Sequence, residues 1–178
     1  MALQIVLLRG INLGAHRRVA MGDLRDLLTK LGYGDVRTYL QSGNVVLTSA
    51  ASPESLGREL EQQIAAQLGV DAQVVVRTRD ELAGVVARNP LDGIAEDPKR
   101  YQVSFLSAEP DSEAVRAIAA IDVAPERFVA SGREIFAWHP NGIQQSPLAK
   151  LLSERRLGVT ATARNWATVT KLLALADS

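Results

Sequence analysis

The chain has no cysteine. That excludes disulfides, a thiolate nucleophile and any thiolate-held metal. There are only two histidines, His16 and His139, far apart in sequence and without clustered acids, which argues against a transition-metal centre. No apolar run approaches the ~20 residues a membrane-spanning helix needs. The start Met1-Ala2-Leu3-Gln4 lacks the basic region and cleavage site of a signal peptide, so a cytoplasmic protein with no membrane partner is expected. Net charge is also missing: the formal value is +0, which argues against strong non-specific binding to nucleic acid.

Several motifs are absent as well. No G-x-x-x-x-G-K-[ST] loop and no G-x-G-x-x-G follows a strand, which disfavours a P-loop nucleotidase and a dinucleotide site. Ser42 lies in Gln-Ser-Gly rather than in a nucleophile elbow, and a Ser-His-acid set would have to draw His16 from a loop. No cofactor is expected, and no catalytic residue is assigned.

What is present is a regular alternation of element signals. Leu3–Leu8 reads as a buried strand, and Met21, Leu24, Leu27, Leu28 and Leu31 repeat at helical spacing before Gly32. Val36–Leu40 and Val45–Thr48 form a hairpin across Ser42-Gly43-Asn44. Ser52-Pro53 opens a helix that Gly69 closes, Val74–Val76 is a strand, and Thr78 with Glu81 makes a capping box for a helix to Arg88. The order is β-α-β-β-α-β, a ferredoxin-like arrangement.

Residues 90–99 read as a linker, and the order then repeats. Tyr101–Leu106 is a strand, Asp111 caps a helix to Ile121, and Arg127–Ala130 pairs with Glu134–Trp138. Ser146-Pro147 opens a helix to Leu157, Val159–Ala161 is a short strand, and Asn165–Leu175 is the last helix. The expected fold is α+β, with two ferredoxin-like modules in tandem packed as one compact unit. The first spans residues 1–89 with an appended helix and the second residues 100–178. The first strand is apolar on both faces, so its open face needs a cover: the second module, or a second copy of the chain in a homodimer.

Topology brings two polar segments together. In this fold the first and third strands are neighbours, so Arg9-Gly10-Ile11-Asn12 and Gln41-Ser42-Gly43-Asn44 emerge at the same end of the sheet. Arg9, Asn12, His16, Arg17 and Arg18 then lie near Gln41, Ser42 and Asn44, with Arg37 and Tyr39 alternating toward that end. The glycines and Asn44 are also ordinary turn residues, and Arg9 beside a core row needs a partner, either a group of its own chain or an anionic ligand. Charge is unevenly distributed. Residues 1–50 and 131–178 each hold six basic and three acidic side chains, against eight and fourteen between them.

The stretches Leu8-Arg9-Gly10-Ile11-Asn12-Leu13-Gly14 and Arg37-Thr38-Tyr39-Leu40-Gln41-Ser42-Gly43-Asn44-Val45 resemble the signature of the family called domain of unknown function 1697. The C-terminal Thr162-Ala163-Arg164-Asn165-Trp166-Ala167-Thr168 is similar to it too. The chain departs from the family pattern at Ala15, Pro147 and Ala167, and no role is carried to those positions. The resemblance supports the fold and the choice of residues and implies no activity.

Arg164, Asn165 and Trp166 form a third polar element at the start of the last helix: a cap with an anchoring tryptophan, or a guanidinium and stacking face for a ligand. Ferredoxin-like RNA-binding domains stack bases on aromatics of strands one and three. Here those strands have none, so sheet-face RNA binding is disfavoured. Three readings remain: a small anionic or phosphate-bearing ligand at the Arg9/Asn12/Gln41/Asn44 end, nucleic-acid association through the basic ends, or a non-catalytic assembly module braced by the polar motifs.

Overall fold

The computed structural model describes residues 1–15 and 17–178. By the density of backbone contacts the chain divides into two units, Met1–Gly84 with Lys171–Ser178, and Val85–Thr170. Each contains one four-stranded antiparallel sheet.

The first unit runs β1 (Ala2–Arg9), α1 (Met21–Lys30), β2 (Gly34–Tyr39), β3 (Asn44–Ser49), α2 (Pro53–Leu68) and β4 (Gln73–Thr78), with α3 (Arg79–Arg88) following. Strand order is β2-β3-β1-β4, the ferredoxin-like order. Val6 and Leu8 of β1, with Val45, Leu47 and Val76, meet Leu24, Leu28, Leu56, Leu60 and Ile64 of the two helices. Each such side chain, fully buried, contributes roughly 1.5–3 kcal/mol. Local chemistry sets the element ends. Ser52 accepts the N–H of Ser55 at 3.2 Å, and Gly69 closes α2 at φ +67. Thr78 and Glu81 form the reciprocal capping box, with bonds of 2.8 and 3.1 Å.

The opposite face of this sheet is buried too, at Ile5, Leu7, Val46 and Val75. Arg37 is on that face because it pairs with Val46. Its guanidinium donates to the Leu175 carbonyl, and to Ser178 Oγ at 2.7 Å. Arg79 grips the same chain end through Asp177, at 2.7 and 3.0 Å. A cation on the last carbonyls of a helix satisfies their orphan acceptors and opposes the helix dipole. Arg37→Ala should therefore cost about 1–2 kcal/mol and speed amide exchange in the last helical turn. Unchanged exchange there would show that the contact stabilises nothing.

The second unit repeats the plan with β5 (Tyr101–Leu106), α4 (Ser112–Ala119), β6 (Arg127–Ser131), β7 (Glu134–Trp138), α5 (Pro147–Leu151), α6 (Glu154–Leu157) and β8 (Ala161–Asn165), and α7 (Trp166–Asp177) starts in it, its residues from Lys171 on counting with the first unit. Its order, β6-β7-β5-β8, is the same. The β-α-β-β-α-β pattern thus occurs twice. Residues 90–99, read as a linker, are a run of turns with Leu91 buried among them.

Two sequence expectations are corrected here. The helix expected from Ser146 to Leu157 is two short ones, because Ser153 caps a new start by accepting the N–H of Arg156. The strand expected at Val159–Ala161 is instead Ala161–Asn165, so Arg164 belongs to a strand and not to the last helix. Apart from Thr162 the residues of this segment are poor strand formers, and pairing with β5, from Leu106↔Ala161 to Gln102↔Asn165, is what makes it one. Among the described residues no helix is long and apolar enough to cross a membrane.

Candidate functional site

The Arg9–Asn12 and Gln41–Asn44 segments do meet. β1 and β3 are antiparallel neighbours with Leu7 opposite Asn44, so the end of one strand adjoins the start of the other. The Leu8 N–H reaches the Gly43 carbonyl at 2.9 Å. Asn12 joins three segments: Nδ2 donates to the carbonyls of Val19 at 3.0 Å and Gln41 at 2.6 Å, and Oδ1 accepts the Val19 N–H at 2.8 Å. Its own N–H donates to the Arg17 carbonyl at 2.8 Å. Buried Ile11 and Val19 anchor the same loop from below. Asn44 is fully buried and donates to the Tyr39 carbonyl at 2.7 Å and Ser42 Oγ at 3.0 Å.

The backbone here is unusual. Gly10, Asn12, Gly14, Arg17, Leu40 and Gly43 all have positive φ. Gly43 has a packing reason to be glycine, since a Cβ there would sit 2.8 Å from Leu8 Cβ and from Ile11 Cδ1. The two amides thus hold a left-handed loop against a tight hairpin.

The charged side chains of this end lie outward. Arg9 is exposed and donates to Gln73 Oε1. Arg17 is exposed, with Nη1 3.2 Å from the position a Gly10 Cβ would take. Arg18, Gln41 and Ser42 are exposed, and Tyr39 is half-buried. Arg37 is turned to the chain's C-terminal helix, as described above. His16, drawn into this cluster by the sequence reading, lies outside the described residues.

Arg164, Asn165 and Trp166 belong to the second unit and are held by its own groups. Arg164 Nη1 donates to Thr162 Oγ1 at 2.7 Å and the Ala163 carbonyl at 2.9 Å, and burial pulls the guanidinium down to about 10. Asn165 Oδ1 caps the last helix by accepting the Thr168 N–H at 2.9 Å. Trp166 stacks on Tyr101, with ring centroids 4.8 Å apart.

The model of the family described as "Protein of unknown function (DUF1697)" matches residues 1–136. The chain belongs to the DUF1697 family. This DUF1697 chain is also similar to a solved structure, described as that of conserved bacterial protein SP0830 from Streptococcus pneumoniae. The TM-score is 0.79 at 24% identity over 98% of each chain, a likeness of fold. No curated protein matches it.

Two features went unread in the sequence. The first is a matched pair of buried arginines. Arg77 stands two residues before the first residue of α3, and Arg164 two before that of α7. Each donates Nη1 to the carbonyl of the residue before it, at 3.1 and 2.9 Å. The next residue, Thr78 or Asn165, caps the helix by accepting the N–H three positions on. The signal was readable as an arginine, a capping residue and a helix start at the same spacing in both modules.

The second is a buried clasp in the second unit. His139 opens a turn, with the Gly142 N–H on its carbonyl at 2.9 Å. Its ring, however, is buried, with Nδ1 2.7 Å from Glu126 Oε2 and 2.9 Å from Ser146 Oγ. Ser146 donates to the same Glu126 oxygen and caps α5 through the Ala149 N–H at 2.9 Å. A hydrolytic relay needs the acid and the hydroxyl on different ring nitrogens. Here both share Nδ1, so the group ties chain segments together rather than activating the serine. Among the described residues no three His, Asp or Glu side chains are placed to hold a metal ion.

Proposed function

We propose that the β1–α1 loop end of the first unit binds a small anion, a phosphate or carboxylate group carried by a metabolite, through Arg17 and Arg18 with Arg9 beside them. The supporting observation is a division of labour. Asn12 and Asn44 spend their amides on backbone carbonyls and on Ser42, while the arginines of the same loop are exposed. No acid occurs from Arg9 to Arg18 or from Arg37 to Asn44. A loop held by its own hydrogen bonds has its backbone already ordered, so binding costs only the ordering of the side chains themselves, about 0.5–1.5 kcal/mol each. Charge-assisted bonds to an anion are the stronger kind.

In this reading Gln41 and Ser42 supply polar rim contacts, and Asn12 and Asn44 position the loop without touching the ligand. Inorganic phosphate and pyrophosphate titrated at low salt should bind the wild type, and Arg17→Ala/Arg18→Ala should weaken binding at least about a hundredfold, each of the two lost charged contacts being worth roughly 1.5–3 kcal/mol. Asn12→Ala should lower stability whether or not phosphate is present. Absence of any phosphate response in the wild type would remove the proposal and favour the assembly module, in which the amides only brace the fold. A salt-sensitive shift with oligonucleotides, and none with phosphate, would move the reading to nucleic acid. Burial of Ile5, Leu7, Val46 and Val75 speaks against base stacking on that sheet face.

A further inference from the structure

The loop end that carries the arginines also carries exposed leucines. Leu13 is 62% exposed and Leu40 51%. Among the described residues of the first unit, the other exposed large apolar side chain is Met1, at the chain terminus. The two segments that carry these leucines are joined by one bond. Leu13 follows Asn12, Leu40 precedes Gln41, and Asn12 Nδ2 donates to the Gln41 carbonyl at 2.6 Å. Leu40 also has φ +63, a conformation that favours glycine or asparagine. A half-exposed leucine in left-handed backbone contributes little burial and no turn preference to the fold. Asparagine at this site would suit both the backbone and the solvent.

We infer that this end takes an amphiphilic anion, a phosphate or carboxylate attached to an apolar chain, with the head group on Arg17 and Arg18 and the chain across Leu13 and Leu40. The inference rests on the anion-binding reading and narrows its ligand class. A bare anion would gain nothing from the leucines. An alkyl chain laid across them removes apolar surface of both partners from water.

The test compares inorganic phosphate with octyl phosphate below its micelle concentration. Wild type should bind octyl phosphate at least about tenfold more tightly, the gain expected when two or more methylenes leave water. The variant Leu13→Ser/Leu40→Asn should keep its phosphate affinity and lose that advantage. Both substitutions are at exposed positions, and asparagine suits the Leu40 backbone, so the fold is not put at risk. Octyltrimethylammonium, with the same chain and opposite charge, should not bind. Equal affinity for the two phosphates would overturn the amphiphile inference and leave the anion site standing. Failure of both to bind would overturn the two together. The same head group can come from a soluble metabolite or from a lipid surface. Vesicles of phosphatidic acid in phosphatidylcholine separate these: the soluble source predicts octyl phosphate binding without vesicle binding, and the lipid source predicts both.

Discussion

Gly43→Ala should destabilise the first unit by about 2–5 kcal/mol, from two costs that act together. Gly43 has φ +89, where any side chain costs roughly 1–2 kcal/mol. The added methyl would also stand 2.8 Å from Leu8 Cβ and Ile11 Cδ1, and both residues are buried and unable to swing aside. Overpacking of this kind costs about 1–3 kcal/mol. Gly14→Ala is the control, since its φ is +61 but nothing lies within 4 Å of where its methyl would stand, leaving only the backbone cost. Urea unfolding followed by far-ultraviolet circular dichroism, with amide exchange in β1 and β3, would measure both. If Gly43→Ala costs no more than Gly14→Ala, the hairpin does not press on Leu8 and Ile11 as described.

That contact also marks where sequence reading stops. The Ser42-Gly43-Asn44 turn, the Ser52 cap and the Thr78/Glu81 box were legible because each is a side chain bonding to backbone a few residues away. The meeting of the Arg9–Asn12 and Gln41–Asn44 segments was legible because strand order alone dictates it. The use each side chain makes of that meeting was not. Asn12 bonds to a carbonyl 29 residues on, and Arg37 to one 138 residues on. Those partners follow from tertiary placement, which no local pattern encodes. Residue type therefore grouped the amides with the arginines, and geometry separates them, with amides holding the loop and Arg17 and Arg18 outward.

The second module was harder to read for a related reason. Ala161–Asn165 has little strand propensity of its own, and a tertiary partner, β5, decides its state. Ser153 splits the preceding helix because its side chain competes for the backbone N–H of Arg156. The repeat is carried at residue level by something less visible than hydrophobic pattern, the arginine-plus-cap pairs Arg77-Thr78 and Arg164-Asn165. Pattern and caps were enough to suggest duplication. The buried arginines make it specific to particular side chains.

Glu126→Ala should lower the stability of the second unit by about 3–5 kcal/mol, the usual cost of removing one member of a buried charged network. Glu126 accepts from Ser146, from His139 and, through Oε1, from the Leu148 N–H at 3.1 Å. Its loss leaves those donors buried together. The same carboxylate predicts an acid limb. Burial pushes the carboxyl up, but hydrogen bonds from Ser146, His139 and the Leu148 N–H outweigh it and hold it below its ordinary value of 4.5. A carboxylate depressed in the folded state stabilises fully above its unfolded pKa, and that stability is lost as pH falls through the folded one. The wild type should therefore weaken from about pH 4.5 downward, and Glu126→Gln should lose that component of the slope while starting less stable. The readout is selective, because the two tryptophans of the chain, Trp138 and Trp166, both lie in the second unit. Their fluorescence in urea, followed from about pH 6 to about pH 3, reports on that unit alone. If wild type and Glu126→Gln decline in parallel with acid, Glu126 is not the group whose protonation loosens this unit.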